Sequence, residues 1–117
     1  MPNRDKLHEL ITEIIQKLAG QIDLEKIVLF GSQVTGKTDE YSDLDILIIA
    51  PSQERPLDRR LRVRRLLYEL NKRIGLDLLF YTPEEVERFK DHPSSFLHHV
   101  LATGITIYDK KTVGIRP

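Results

Sequence analysis

Apolar residues at Leu7, Leu10, Ile11, Ile14, Ile15 and Leu18 recur every three or four positions, and Gly20 follows as a stop. That spacing predicts an opening helix. Ile27 to Phe30 (IVLF) is a short unbroken apolar run, read as a buried strand, and Asp43 to Ala50 (DLDILIIA) is a second, ended by Pro51. Pro56 opens a long helical pattern to about Ile74, closed by Gly75, and Leu76 to Tyr81 (LDLLFY) is a third strand. Thr82-Pro83-Glu84-Glu85 pairs a capping threonine with glutamate three residues on and proline at the first helical position, so a helix starts there. A last helix begins near Ser94-Ser95, carries Phe96, Leu97, Val100 and Leu101, and stops at Gly104; Ile105 to Tyr108 adds a short edge strand.

This order describes an α/β fold (α+β by some schemes), with a small mixed sheet of three to four strands packed with helices. The second and third strands are joined through a long helix, the right-handed crossover that makes strands parallel. Asp43 and Asp45 open the second strand and Asp77 is the second residue of the third, so neighbouring strands bring all three carboxylates to one sheet edge. Gly31-Ser32 ends the first strand and reaches that edge only if the first strand runs antiparallel to the second.

At 117 residues the chain is read as one domain, 1–117, with no length left for a separate acceptor-binding domain. Eighteen basic and eighteen acidic residues cancel, which argues against a nucleic-acid partner. There is no cysteine, which excludes disulfide scaffolds and thiolate zinc sites and suits a reducing cytosol. The N-terminus lacks a signal peptide's apolar core, and the longest apolar run, Ile46 to Ala50, is too short to cross a bilayer. A cytoplasmic location is therefore expected; a homo-oligomer is left open.

The chemistry concentrates between Phe30 and Asp45. Carboxylates at i and i+2 of a strand project from one face about 7 Å apart, close enough to share divalent metal. Asp77 sits in an otherwise apolar strand, where a carboxylate is costly unless paired or on metal. The role expected of it is third metal ligand, and with that the base that accepts a proton from an attacking hydroxyl; an edge position within reach of water is the simpler reading. Gly31 lets backbone approach a phosphate, and Ser32 adds a hydroxyl ahead of a short helix. Together these groups point to nucleotidyl transfer from a metal-bound nucleoside triphosphate. Gly36, Lys37 and Tyr41 lie in the same stretch, each with an ordinary loop role as the simpler reading.

Gly31-Ser32 followed by Asp43, Asp45 and the later Asp77 resembles the DNA polymerase beta-like nucleotidyltransferase superfamily, in particular its minimal nucleotidyltransferases. The resemblance runs from about Leu7 to Tyr108. It implies the polymerase beta-like fold, with Asp43, Asp45 and Asp77 as catalytic and metal-binding residues and Gly31, Ser32 and Gln33 at the nucleotide. It also implies two Mg2+ ions, ATP as substrate and pyrophosphate as leaving group. Small members are often the antitoxin half of a pair with a HEPN-domain toxin, and some add AMP to a tyrosine of the toxin. Members usually carry arginine after the serine, where this chain has Gln33. A non-catalytic antitoxin or nucleotide-binding module acting by contact is thus the alternative.

The long helical segment adds a candidate partner surface. Val63, Leu66, Leu67, Leu70 and Ile74 form the sheet-facing stripe, while Leu57, Leu61 and Tyr68 fall opposite, beside Arg64, Arg65 and Lys72. Packing of that second stripe on another helix is the competing expectation. Eight basic residues between Arg55 and Arg73 are expected to be solvated or partner-facing, with Lys72 and Arg73 nearest the carboxylates. His8, His92, His98 and His99 show no metal spacing and are read as structural or surface groups.

Overall fold

The computed structural model describes residues 4–31 and 44–111. Helix α1 (Arg4–Ala19) leads into β1 (Lys26–Phe30); β2 (Leu44–Ile49) is followed by α2 (Pro56–Leu66), α3 (Tyr68–Arg73) and β3 (Leu76–Tyr81); α4 (Pro83–Phe89), α5 (Phe96–Thr103) and β4 (Ile105–Asp109) complete it. The sheet order is β3-β2-β1-β4, with β2 parallel to β3 and β1 antiparallel to both β2 and β4. The parallel pair sits where the helical crossover required it, and β1 runs in the direction that sends its end towards the start of β2.

Alternation of side chains along the strands sorts the core into two faces. On one, Ile27, Leu29, Leu44, Ile46, Ile48, Leu78 and Phe80 pack against Ile14 and Leu18 of α1 and Val63, Leu67 and Leu70 of the α2–α3 segment. On the other, Val28, Phe30, Leu47 and Ile49 pack against Leu97 and Val100 of α5, with Val86 of α4 alongside. The central strand β2 is buried on both faces, which explains its nearly unbroken apolar run.

The predicted helix from Pro56 to Ile74 is two helices. At Leu67 the backbone turns to φ −102°, ψ 17°, although Leu67 N–H still reaches the Val63 carbonyl and Asn71 N–H the Leu67 carbonyl, at 3.0 and 2.9 Å. Hydrogen bonding therefore carries across the break, and Val63, Leu67 and Leu70 all stay buried. Past α3, the Asn71 side-chain oxygen accepts from Leu76 N–H at 2.8 Å, and the Gly75 carbonyl accepts from Leu44 N–H at 2.9 Å. These two bonds seat the first residue of β3 beside the first residue of β2.

Thr82 caps α4 as expected: its hydroxyl accepts from Glu85 N–H at 3.3 Å, and the Glu85 carboxylate accepts from Thr82 N–H at 2.8 Å. The same carboxylate pairs with Arg59 of α2, whose side chain is buried and also donates to the Phe80 carbonyl at 3.2 Å. Arg59 thus departs from the expectation that the arginines of this segment are surface groups. A buried guanidinium is tolerated because a carboxylate, a carbonyl and the face of the Phe80 ring, 5.3 Å from its centre, surround it.

Candidate functional site

The chain leaves β1 at Gly31 with φ +80°, a left-handed conformation that side chains rarely adopt. A Cβ there would lie 2.0 Å from Oδ2 of Asp45 and 2.9 Å from its carboxyl carbon. Glycine is therefore required twice over, by the backbone angle and by the Asp45 carboxylate resting against the turn. Asp45 is the register partner of Phe30 on one side and of Asp77 on the other. Neighbouring strands lie about 4.8 Å apart, so the two aspartates stand side by side. They share the face of Leu47 and Leu79, the face covered by α4 and α5.

Asp45 is half-buried and Asp77 exposed. Like charges at directly opposed positions repel, and a divalent cation between them removes that repulsion. Two hard carboxylate donors at a solvent-reached edge fit magnesium, which takes one or two protein carboxylates and completes its shell with phosphate oxygens and water. The described residues contain no group of three or more metal-binding side chains. Asp43, Ser32 and Gln33 lie outside the described residues, as do Gly36, Lys37 and Tyr41.

Among the described residues, the two cations that the sequence placed nearest the carboxylates are engaged elsewhere. Arg73 makes a two-pronged contact with the Glu13 carboxylate of α1, at 2.7 and 2.6 Å. Lys72 lies 3.7 Å from Glu69 and over the Tyr68 ring. His98 hydrogen-bonds the Lys90 carbonyl through Nδ1 at 2.7 Å, a structural role in line with the sequence. Sequence reasoning missed Phe96. Counted there with the apolar residues of its helix, it is 56% exposed and packs against Phe30 at the carboxylate edge.

Residues 12–113 match the family described as polymerase beta, nucleotidyltransferase. The chain belongs to that family. Its mixed four-stranded sheet, with helices on both faces, is the polymerase beta-like nucleotidyltransferase fold. A Methanocaldococcus jannaschii protein named as a candidate protein adenylyltransferase is 36% identical over 75 residues, 62% of this chain. The match spans about half of that relative, 51% of its length.

Among solved structures, a candidate nucleotidyltransferase from Sulfolobus solfataricus superposes with a TM-score of 0.63 at 23% identity, covering 88% of this chain and 80% of that one. A toxin-antitoxin complex with AMP-PNP gives 0.60 at 22% identity over 88% and 76%. A Shewanella oneidensis complex of a tri-AMPylated HEPN toxin with its MNT antitoxin gives 0.57 at 20% identity over 92% and 76%. At these identities the solved structures speak for the fold. None of the described helices is long and apolar enough to cross a membrane.

Proposed function

We propose that the protein is a magnesium-dependent nucleotidyltransferase that moves AMP from ATP to a hydroxyl of a protein partner, as the antitoxin of a HEPN–MNT pair. The observation that carries the reading is the Asp45 carboxylate seated against Gly31 and in register with Asp77. That arrangement sets two carboxylates suited to a divalent metal side by side, next to the glycine that ends β1. A relative named for protein adenylylation and structural neighbours solved as MNT–HEPN complexes support the acceptor class.

In this reading Asp45 and Asp77, with Asp43, hold the metal, and Gly31, Ser32 and Gln33 face the triphosphate. Bound magnesium supplies charge neutralisation at the phosphates and lowers the pKa of a coordinated hydroxyl. Asp77, the exposed member, is open to an incoming acceptor and takes the proton of its hydroxyl. The acceptor oxygen then bonds to the α-phosphorus, the bond from that phosphorus to the bridging oxygen breaks, and pyrophosphate leaves with the electron pair. The product is an AMP phosphodiester on the partner.

The test is incubation of the protein and a co-encoded helical partner with ATP labelled at the α-phosphate, with and without magnesium. Label should pass to the partner, and Asp45→Asn or Asp77→Asn should cut transfer by at least a hundredfold. Equal labelling by these variants, or none by the native protein, sinks the enzymatic reading.

A second reading, neutralisation by contact, is favoured by one surface. Leu57, Leu61 and Tyr68 are 57%, 40% and 58% exposed along α2 and α3, so no helix among the described residues covers the second stripe. Arg60, Arg64 and Arg65 flank it without a salt bridge among the described residues. An Asp45→Asn, Asp77→Asn double variant that still neutralises the partner would select this reading.

A further inference from the structure

Phe96 is the first residue of α5, and the cap beneath it is well made. The Ser95 hydroxyl accepts from Leu97 and His98 N–H at 3.1 and 3.4 Å. The next residue, Leu97, is fully buried, as is Val100, so α5 is anchored without help from Phe96. The Phe96 ring instead meets Phe30 edge to face, with centroids 5.9 Å apart and planes at 77°. Phe30 is the register partner of Asp45, and directly opposed residues of an antiparallel pair project from the same face. Phe96 therefore stands one side chain away from the Asp45 carboxylate, on the same side of the sheet, and 56% of its surface is open to water.

Leaving an apolar ring in water is unfavourable, and the core does not ask for one at this position. An aromatic ring has two faces, and a single edge-to-face contact covers at most one of them. The contact with Phe30 fixes the tilt of the ring without exhausting its surface. A nucleotide held by its phosphates at the Asp45–Asp77 edge carries its base one ribose away from them, and Phe96 is the exposed aromatic group on that side of the sheet among the described residues that neighbours Phe30, the register partner of Asp45.

We propose that Phe96 is the stacking surface for the nucleobase of the nucleotide. This rests on the nucleotidyl-transfer reading above and adds to it the group that holds the base. Stacking uses the π-face that every base presents, so Phe96 supplies affinity in proportion to ring area: purine nucleotides bind better than pyrimidine nucleotides, with little choice between adenine and guanine.

The experiment compares, by calorimetric titration in magnesium, a non-hydrolysable ATP analogue with inorganic tripolyphosphate, which has the charge but no base. Phe96→Ala should weaken the ATP analogue about tenfold and leave tripolyphosphate unchanged. Phe96→Leu, which keeps an apolar contact with Phe30 but has no π-face, should behave like Phe96→Ala, and Phe96→Trp should bind the analogue at least as tightly as the native protein. Unchanged ATP affinity in Phe96→Ala, or equal loss of both ligands, overturns the stacking role while leaving nucleotidyl transfer intact. Native protein that binds neither ligand overturns both readings together.

Discussion

Gly31 and Asp45 form the smallest unit that matters here. Any side chain at position 31 meets two obstacles, the positive φ and the carboxylate oxygen 2.0 Å from the new Cβ. Gly31→Ala is expected to lower stability by about 1–3 kcal/mol, the cost of strained backbone, and to displace Asp45. Urea unfolding reads the first effect and loss of magnesium-dependent nucleotide binding the second. An alanine variant that binds nucleotide normally would mean that the close approach has no bearing on function. Asp45 and Gly31 were both legible in the sequence, as a strand carboxylate and a turn glycine. That they touch was not, because contact across the start of a loop depends on the turn angle, which residue order does not specify.

Among the elements, α4 shows how one side chain ties several parts of the fold together. Glu85 closes its own helix cap and compensates Arg59, whose Nε has no hydrogen-bond partner among the described residues and whose remaining groups depend on Glu85 and the Phe80 carbonyl. Glu85→Ala removes the cap and leaves a buried cation, so a loss of about 3–5 kcal/mol is expected in urea unfolding. Thr82→Ala breaks the cap alone and should cost about 1 kcal/mol. At the far end of the sheet, Lys110 donates to Asp23 at 2.9 Å, and this bond, with Asp23's charge, raises the lysine pKa above its usual 10.5. A raised pKa stabilises the fold at lower pH, and that contribution fades as pH climbs through the raised value. Lys110→Met should therefore leave the pH dependence of melting unchanged near neutrality and flatten it only above about pH 10.5.

Most elements could be read from periodicity, caps and stops; the capping box over Thr82–Glu85 and the β3 boundaries are seen as expected. The interruption at Leu67 could not, since neither glycine nor proline marks it and the hydrogen bonds run through it. Arg59 was hidden for a related reason: its burial follows from a glutamate 26 residues away rather than from its own neighbours.

For the molecule as a whole, the two faces of the sheet have separate roles in the proposed function. The carboxylates and Phe96 lie on the side of α4 and α5, whereas the exposed stripe of Leu57, Leu61 and Tyr68 belongs to the helices on the opposite side. Leu61→Asp with Tyr68→Ser should keep the melting temperature within a few degrees, because neither residue is buried. If a partner docks there, its affinity should fall at least tenfold in a titration while nucleotide binding is unaltered. Undiminished partner affinity would move the docking surface elsewhere.

The pairing of Asp45 with Asp77 also limits how such a chain can change. Point substitutions can tune this edge one group at a time, but one residue gained or lost near the start of β2 is a different kind of event. Strand sides alternate, so such a frame slip would turn Asp45 into the closely packed layer beneath α2 and offer Leu44 or Ile46 to the glycine turn. Length variation should therefore be admitted before β1 and after β4, and refused between Asp45 and Asp77 unless it stays within the helices and loops that link the two strands.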